Sequence, residues 1–256
     1  MKKIKYLAII IAASLFVACS DDFFDTEYQA GIDSETVDYL LEEKPDGLVS
    51  AYVTAIYSYM VEAYAYNTDT HDIFTFMAVL HAADMTAQDV VQATSHWFNY
   101  DYDFDNRMFN YRRTRATWTT LYTMIAKANT IVNLYTEEPQ NTVARGGLGQ
   151  ALAIRGLSYY YLIQLFQKSN TGDASVADLP GVPMRFADSE GIPEEERTSL
   201  TSRNTVKQVR QQIEADLTYA VELLEGYERP YKYYVDQSVA RGFLARFYLL
   251  VGEWDK

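Results

Sequence analysis

Cysteine is nearly absent from the 256-residue sequence, in which Cys19 is the only one. A single cysteine excludes an internal disulfide, so the fold must be held together by its core. Histidine is almost as scarce, and His71, His81 and His96 form no His-Glu-x-x-His pair. Because no other cysteine is available to share a metal with them, we predict no metal site and no cofactor.

Positive charge is also in short supply. The sequence has 22 Lys and Arg residues against 35 Asp and Glu residues, which gives a formal net charge of −13. Such a chain is repelled by phosphate backbones and anionic membranes, so we do not expect nucleic acid as a partner. Carboxylate pairs for glycoside hydrolysis can be chosen anywhere among so many acids, and none therefore identifies a catalytic site. The sequence predicts a protein that is not an enzyme.

The apolar run near the N-terminus is too short to span a bilayer and has the pattern of an export signal. Three lysines precede it, and a small residue follows it. The sequence Phe-Val-Ala-Cys at residues 16–19 resembles the bacterial lipobox, in which the thiol of the new N-terminal cysteine is acylated after cleavage. We predict a lipoprotein signal peptide over residues 1–18 and lipidation of Cys19. The alternative is a plain signal peptide with an incidental cysteine.

Acidic residues follow this cysteine directly, in Ser20-Asp21-Asp22. They resemble the surface-export signal of lipoproteins in glycan-harvesting Gram-negative bacteria, and a solvated tether is a compatible alternative. We predict an acidic tether and lead-in over residues 19–44. Removal of residues 1–18 removes three lysines and no acids, which takes the formal net charge from −13 to −16.

Hydrophobic periodicity predicts five helices and no convincing series of strands in residues 45–256, which we treat as one helical domain. The predicted helices cover about residues 45–66, 118–135, 148–166, 205–224 and 240–251. Thr205 and Gln208 have capping-box spacing at the start of the fourth helix. Gly146-Gly147-x-Gly149 lacks phosphate-loop spacing and is predicted as a linker at the start of the third helix.

Two segments show no sustained helical period. Residues 67–113 mix acids, aromatics and histidines, and residues 169–204 contain three prolines and three glycines, which indicates a long surface loop. The second helix is predicted to pair with the third, and the fourth with the fifth, in antiparallel fashion. Such helix pairs are typical of tetratricopeptide-type arrays. We therefore predict an all-α fold of tetratricopeptide-like helix pairs with long irregular loops.

These helices carry motifs that resemble the SusD/RagB family of outer-membrane nutrient-binding lipoproteins. The matching segments follow one another in the family's order: Trp118-x-x-Leu121-Tyr122-x-x-Ile125-x-x-Ala128-Asn129, Ala151-x-x-x-Arg155-Gly156-x-x-Tyr159-Tyr160-x-Leu162, Leu179-Pro180-Gly181-Val182-Pro183, Arg203-x-Thr205-Val206-x-x-Val209, Ile213-x-x-Asp216-Leu217-x-x-Ala220 and Ala240-x-x-x-Leu244-Ala245-Arg246-x-Tyr248-Leu249. Each motif alone is weak, but their order behind a lipobox is specific. Family members continue well beyond this length, so the resemblance implies a SusD-like N-terminal part that is incomplete at its C-terminus.

The resemblance implies a function as well as a fold. A SusD-like lipoprotein captures oligosaccharides at the outer membrane, facing the cell exterior, and delivers them to a TonB-dependent transporter of the SusC type. Two alternatives stay open: peptide capture of the RagB type, and a helical interaction scaffold without a small-molecule ligand. A secreted hydrolase would need a convergent acid–base pair, which the sequence does not identify.

Most residues of these motifs are predicted to build the scaffold. Trp118, Tyr159 and Tyr248 lie on apolar stripes, where aromatic side chains pack in a core more often than they bind ligands. Arg155 lies on an otherwise apolar stripe, where an unpaired charge is costly. We therefore predict a buried or half-buried partner carboxylate for it, with Asp216 on another helix as the candidate.

The candidate ligand site lies in the irregular stretch between the first two predicted helices. Trp97, Asn99, Tyr100 and Asp101 offer flat aromatic faces for the apolar side of a sugar ring, with an amide and a carboxylate for its hydroxyls. The alternative is that the aromatic residues only cover the helices while Asn99 turns the chain. Asp101-x-Asp103-x-Asp105-Asn106 resembles the start of a calcium loop, but Arg112 occupies the position of the closing carboxylate, so a solvated loop is the simpler interpretation.

Overall fold

The computed structural model describes residues 34–63, 70–87, 90–105, 107–167, 176–186 and 202–256. The predicted signal peptide over 1–18, the lipidation site Cys19 and the acidic residues behind it lie outside the described residues. By its internal contacts the chain divides into two compact units, Met1–Lys44 and Pro45–Lys256.

The described part of the chain is helical. Its α-helices are α1 (Ser34–Glu43), α2 (Pro45–Met60), α3 (Thr75–Met85), α4 (Asn99–Tyr102), α5 (Arg112–Val132), α6 (Thr142–Phe166), α7 (Val206–Leu223) and α8 (Gln237–Val251), and one 3₁₀ turn covers His71–Ile73. Pro180 and Thr205 form an isolated antiparallel bridge, and no strand occurs among the described residues. The predicted all-α fold is confirmed. None of these helices is both long and apolar enough to cross a membrane.

Side-chain caps fix the starts of the three long C-terminal helices. Asn141 accepts hydrogen bonds from the first backbone amides of α6, and Asp236 accepts one at the start of α8. Thr205 and Gln208 form the predicted capping box at the start of α7. Each cap satisfies backbone donors that have no partner within the helix. At the other end of α8, Gly252 adopts a left-handed conformation with φ of 79°, which glycine tolerates without steric cost.

Helix α6 is the centre of the Pro45–Lys256 unit, and most of its residues are buried. Glycines on its surface let neighbouring helices approach closely. A Cβ atom at Gly149 would lie 2.8 Å from Leu224 Cγ, and one at Gly156 would lie 2.9 Å from Leu217 Cγ. The prediction that the glycines at 146, 147 and 149 form a linker before the helix is wrong. They lie within α6, where their lack of a side chain makes room for side chains of α2, of α7 and of the segment after α7.

Both predicted helix pairs are present and antiparallel. In the first pair Trp118 of α5 contacts Phe166 near the end of α6, with ring centroids 4.9 Å apart. In the second, the Gln237 side chain at the start of α8 donates to the Val221 carbonyl near the end of α7, and the Tyr248 hydroxyl near the end of α8 is 3.1 Å from a carboxylate oxygen of Glu214 in the middle of α7. The most extensive packing, however, lies between these pairs, where α6 and α7 also run antiparallel.

The prediction that residues 67–113 lack helices is wrong for α3. Phe76, Val79 and Ala82 form its buried side, but the exposed side also carries an apolar residue, Met77, so the helix shows little of the amphipathic period that marks a surface helix. Helix α4 is a single turn, too short to give a periodic signal. Part of the predicted lead-in is also helical, since α1 occupies Ser34–Glu43.

The described part of the predicted surface loop over 169–204 is packed against the core. Val182 is completely buried. The Tyr122 hydroxyl donates to the carbonyl of Pro183 over 2.7 Å, and the Asn129 amide donates to the carbonyl of Arg185 over 2.8 Å. Side chains of α5 thus donate hydrogen bonds to backbone carbonyls of residues 176–186, which form no regular helix or strand. These bonds hold the segment against the helices.

Candidate ligand-binding site

A recess of about 390 Å³ lies where the chain enters α4. The described residues that line it are Ser95, His96, Trp97, Asn99 and Tyr100. Three of the four predicted site residues are therefore brought together. Trp97 and Tyr100 are 45% and 47% exposed, so both rings remain accessible to a ligand from solvent.

Phe98 anchors this segment to the rest of the domain. It is only 4% exposed and packs against Ala78, Ala82 and Met85 of α3. The backbone amide of Phe98 donates to Nδ1 of His96 over 3.2 Å, which closes the turn before α4. With Phe98 directed into the core, the flanking rings of Trp97 and Tyr100 are left at the surface.

Arg112, at the start of α5, holds Trp97 from one side. Its guanidinium carbon lies 4.9 Å from the centre of the Trp97 ring. The guanidinium also forms a 2.7 Å ion pair with the buried carboxylate of Asp72. The ring is therefore supported by a fixed cation, an arrangement that limits its motion.

Asp101 does not line the recess. It is 7% exposed, and both of its carboxylate oxygens accept hydrogen bonds from Arg113 at 2.8–3.1 Å. This ion pair, with its three hydrogen bonds, ties α4 to α5. Asp101 therefore positions the segment around α4, and its carboxylate is already engaged by Arg113.

The Asn99 side chain is half-buried and oriented by two neighbours. Its amide nitrogen donates to Asp103, and its amide oxygen accepts from the Gln92 side chain over 3.3 Å. Because both ends of the amide are engaged, its orientation between Trp97 and Tyr100 is fixed before any ligand arrives. A sugar hydroxyl would share these polar atoms with their present partners.

A SusD-like family model, described as starch-binding and associating with the outer membrane, matches residues 38–249. The chain belongs to the SusD-like family. Among curated proteins, no significant sequence match was found.

Solved SusD-like structures share the fold. A SusD-like carbohydrate-binding protein from Bacteroides vulgatus is 25% identical, with a TM-score of 0.68. A SusD superfamily protein from Bacteroides thetaiotaomicron is 19% identical, with a TM-score of 0.58, and a laminarin-binding SusD-like protein is 19% identical, with a TM-score of 0.55. These matches cover 81–82% of this chain but only 40–43% of the relatives. The SusD-like chain thus spans about two fifths of their length.

Sequence reasoning missed the surroundings of Phe98 in this SusD-like chain. All three histidines pack around its ring, with centroid distances of 5.4 Å for His71, 4.5 Å for His81 and 5.9 Å for His96. Their spacing along the sequence gives no sign of this convergence, because each histidine lies on a different element: His71 in the 3₁₀ turn, His81 in α3 and His96 in the loop before α4.

The acidic residues after Trp97 do not assemble into a cation site. Asp101 is paired with Arg113, and Asp103 accepts from Asn99. Among the described residues, which exclude Asn106, no three His, Cys, Asp or Glu side chains are grouped so that they could hold a metal ion.

Proposed function

We propose that this SusD-like chain captures oligosaccharides at the recess around Trp97 and passes them to a TonB-dependent transporter of the SusC type. The observation that carries the proposal is the pair of half-exposed rings, Trp97 and Tyr100, beside the oriented amide of Asn99. Flat rings cover the apolar face of a sugar, and a fixed amide selects among its hydroxyls.

The relatives suggest which glycans to test first. The family description names starch, and one structural relative is described as laminarin-binding. Oligosaccharides from these two polymers are therefore the first ligands to test on this chain.

We propose binding without chemistry. The described residues that line the recess include no carboxylate, whereas glycoside hydrolysis uses a pair of them. The nearest predicted candidate, Asp101, is held by Arg113. A shallow recess covers only part of a sugar chain, so we expect weak binding that permits release to the transporter.

The N-terminal pattern and the family description support a location at the outer membrane. We propose that lipid on Cys19 anchors the protein to the outer membrane with the helical domain facing the cell exterior. Acyl chains supply the membrane affinity that an acidic surface cannot.

Calorimetric titration of the purified protein with starch-derived and laminarin-derived oligosaccharides tests the proposal. Trp97→Ala should abolish or strongly weaken any binding seen with the unaltered protein. Trp254→Ala is the matched control, because Trp254 is also exposed but lies beyond α8, outside the recess. Unchanged binding by the Trp97→Ala protein would place the ligand elsewhere.

A second experiment addresses the partner. The lipidated protein should co-purify with a SusC-type transporter from the membrane of a cell that produces both. Glycan binding without co-purification would leave the capture role standing and remove the delivery step from the proposal.

A further inference from the structure

A second recess, of about 240 Å³, lies between the segment 229–235 and helices α2, α3, α6 and α8. No site residue was predicted here from the sequence. Its floor is formed by buried or half-buried apolar side chains, namely Met60, Leu80, Ile154, Leu157, Val239 and Phe243. The recess is therefore a cavity of the helical core that opens to the surface.

Aromatic rings form its walls. Tyr57 and Tyr234 stack with centroids 4.4 Å apart and an angle of 11° between their planes. Phe76 and Tyr161 meet edge to face at 5.6 Å. Tyr233, which is 63% exposed, stands edge-on to Tyr57 at 6.1 Å and borders the opening.

Hydrogen bonds hold these walls in place without any ligand. The Tyr57 hydroxyl donates to the Gln150 side chain over 2.9 Å and accepts from the backbone amide of Val235 over 2.8 Å. Arg229 donates to the backbone carbonyl of Tyr234 over 3.0 Å and pairs with Asp236. The recess is thus pre-formed, which lowers the conformational cost of binding.

Two cations at the opening have no carboxylate partner in the part of the chain that the structure describes. Lys232 and Arg246 line the recess and are exposed, and neither forms an ion pair with any of the described residues. The guanidinium of Arg246 donates to the Tyr161 hydroxyl over 3.1 Å and lies 5.4 Å from the centre of the Tyr160 ring. In a chain with a net charge of −13, two cations that have no ion-pair partner among the described residues give the edge of this apolar recess a locally positive charge.

This combination selects a ligand class different from that of the recess at Trp97. Sugar hydroxyls placed on the apolar floor would lose their hydrogen bonds to water without replacement. An apolar group suits the floor, and a carboxylate suits the cations at the opening. We propose that this second recess binds a small apolar carboxylate, with its aromatic or aliphatic body inside and its carboxylate between Lys232 and Arg246.

Two sources offer this chemistry: a free aromatic or aliphatic acid, and the C-terminal residue of a peptide. Titration of the whole protein with 3-phenylpropionate and with N-acetylphenylalanine separates them, since only the second carries the amide of a peptide. Binding of 3-phenylpropionate, with or without that of N-acetylphenylalanine, shows that a free acid is sufficient, and binding of N-acetylphenylalanine alone identifies a peptide terminus. No detectable binding of either at millimolar concentration would overturn the proposal.

Uncharged amide analogues and two variants test the role of the cations. The amide of each probe should bind about tenfold more weakly than the acid, and Lys232→Gln and Arg246→Gln should each remove most of this preference. Lys207→Gln, at an exposed lysine on α7 that does not line the recess, should have no effect. Equal binding of acid and amide, or the same loss in the Lys207→Gln protein, would show that the opening does not recognise a carboxylate.

The melting temperatures of the Lys232→Gln and Arg246→Gln proteins should stay close to that of the unaltered protein, because both side chains are exposed. No glycan enters this experiment, so its outcome is independent of whether the recess at Trp97 binds oligosaccharides.

Discussion

Arg155 on α6 and Asp216 on α7 form a buried ion pair with two parallel hydrogen bonds, of 2.8 and 2.7 Å. The third guanidinium nitrogen donates to the Asn129 side chain on α5 over 2.9 Å, and the Gln212 side chain donates to Asp216 over 2.7 Å. Three helices therefore meet at one polar group inside the core. The pairing predicted from the apolar stripe is confirmed, because a buried guanidinium requires an opposite charge.

Removal of one partner from this pair should be strongly destabilising. We expect Asp216→Ala to lower the free energy of unfolding by about 3–5 kcal/mol, since it leaves Arg155 buried without a counter-charge. Urea denaturation followed by circular dichroism measures this loss. The matched control is Glu138→Ala at the partly exposed pair with Arg145, which should cost about 0–1 kcal/mol. Similar losses in the two variants would contradict the assigned role of the buried pair.

Gly156 and Gly242 should respond in opposite directions to the same substitution. Gly156→Ala places a Cβ atom 2.9 Å from Leu217 Cγ, so α6 and α7 must move apart, at a cost of about 1–3 kcal/mol. Gly242 in α8 has no neighbour within 4 Å of such an atom, and alanine there should stabilise by about 0.5–1 kcal/mol. Thermal unfolding measures both effects: the melting temperature of Gly156→Ala should fall below that of the unaltered protein, and that of Gly242→Ala should rise above it. A neutral Gly156→Ala would mean that the helix contact can relax.

The parts of the fold that sequence predicts are those with strong local signals. The Thr205–Gln208 capping box and the amphipathic stripes of α5 and α7 depend only on nearby residues, and both were found. Helix α3 was missed because apolar residues on its exposed side, such as Met77, weaken the amphipathic period. The glycines at the start of α6 were misassigned, since their purpose is contact with distant residues such as Leu224.

The same distinction applies to the sites. Trp97, Asn99 and Tyr100 lie together because they are neighbours in sequence, so residue type and position were sufficient to predict their grouping. Asp101 is adjacent to them in sequence, yet its orientation is set by Arg113 on another helix. The second recess combines residues that are far apart in sequence, from Tyr57 to Arg246, so no local sequence pattern predicts it.

Alkaline pH should destabilise the protein partly through Tyr159. Burial raises the pKa of its hydroxyl from 10.0 to about 12, while its hydrogen bond with the Arg185 backbone opposes the shift. The folded state therefore favours the neutral hydroxyl. Its contribution to stability is fully present below about pH 10 and is lost as the pH rises towards 12.

Tyr159→Phe removes this ionisation together with its hydrogen bonds. We expect a lower free energy of unfolding at neutral pH and a flatter decline between pH 10 and 12. Urea denaturation at a series of pH values measures both. Tyr39→Phe, at an exposed tyrosine of α1, should retain the slope of the unaltered protein. An unchanged slope for Tyr159→Phe would assign the alkaline sensitivity to other groups.

Membrane attachment should depend on Cys19, which lies outside the described residues. We expect Cys19→Ala to abolish membrane association and to leave secretion partly intact, because acyl chains supply the affinity that an acidic surface lacks. Fractionation of cells that produce each variant measures the distribution. Ser20→Ala, at the adjacent residue, should remain with the membranes. Membrane-bound Cys19→Ala protein, or processing that resists globomycin, would exclude lipidation at this site.

Trp97 and Phe98 are adjacent in sequence but should have separate roles, one in binding and one in stability. Phe98 fills a pocket against α3, and Phe98→Ala should cost about 3–5 kcal/mol of unfolding free energy. Trp97 is 45% exposed, so Trp97→Ala should change the melting temperature little. Its effect should appear in glycan affinity, at about 1–3 kcal/mol, the scale found when flat ligand rings lose an aromatic partner.

Asn99→Ala should weaken glycan binding less than Trp97→Ala does, by about 1 kcal/mol, the net value of one hydrogen bond. Calorimetric titration and thermal unfolding on the same preparations separate the two effects for each variant. A Trp97→Ala protein that binds glycan normally but melts far below the unaltered protein would show that Trp97 supports the core through Arg112 and Asp72. In that case the exposed face of the ring is incidental, and the glycan site must be sought outside the recess.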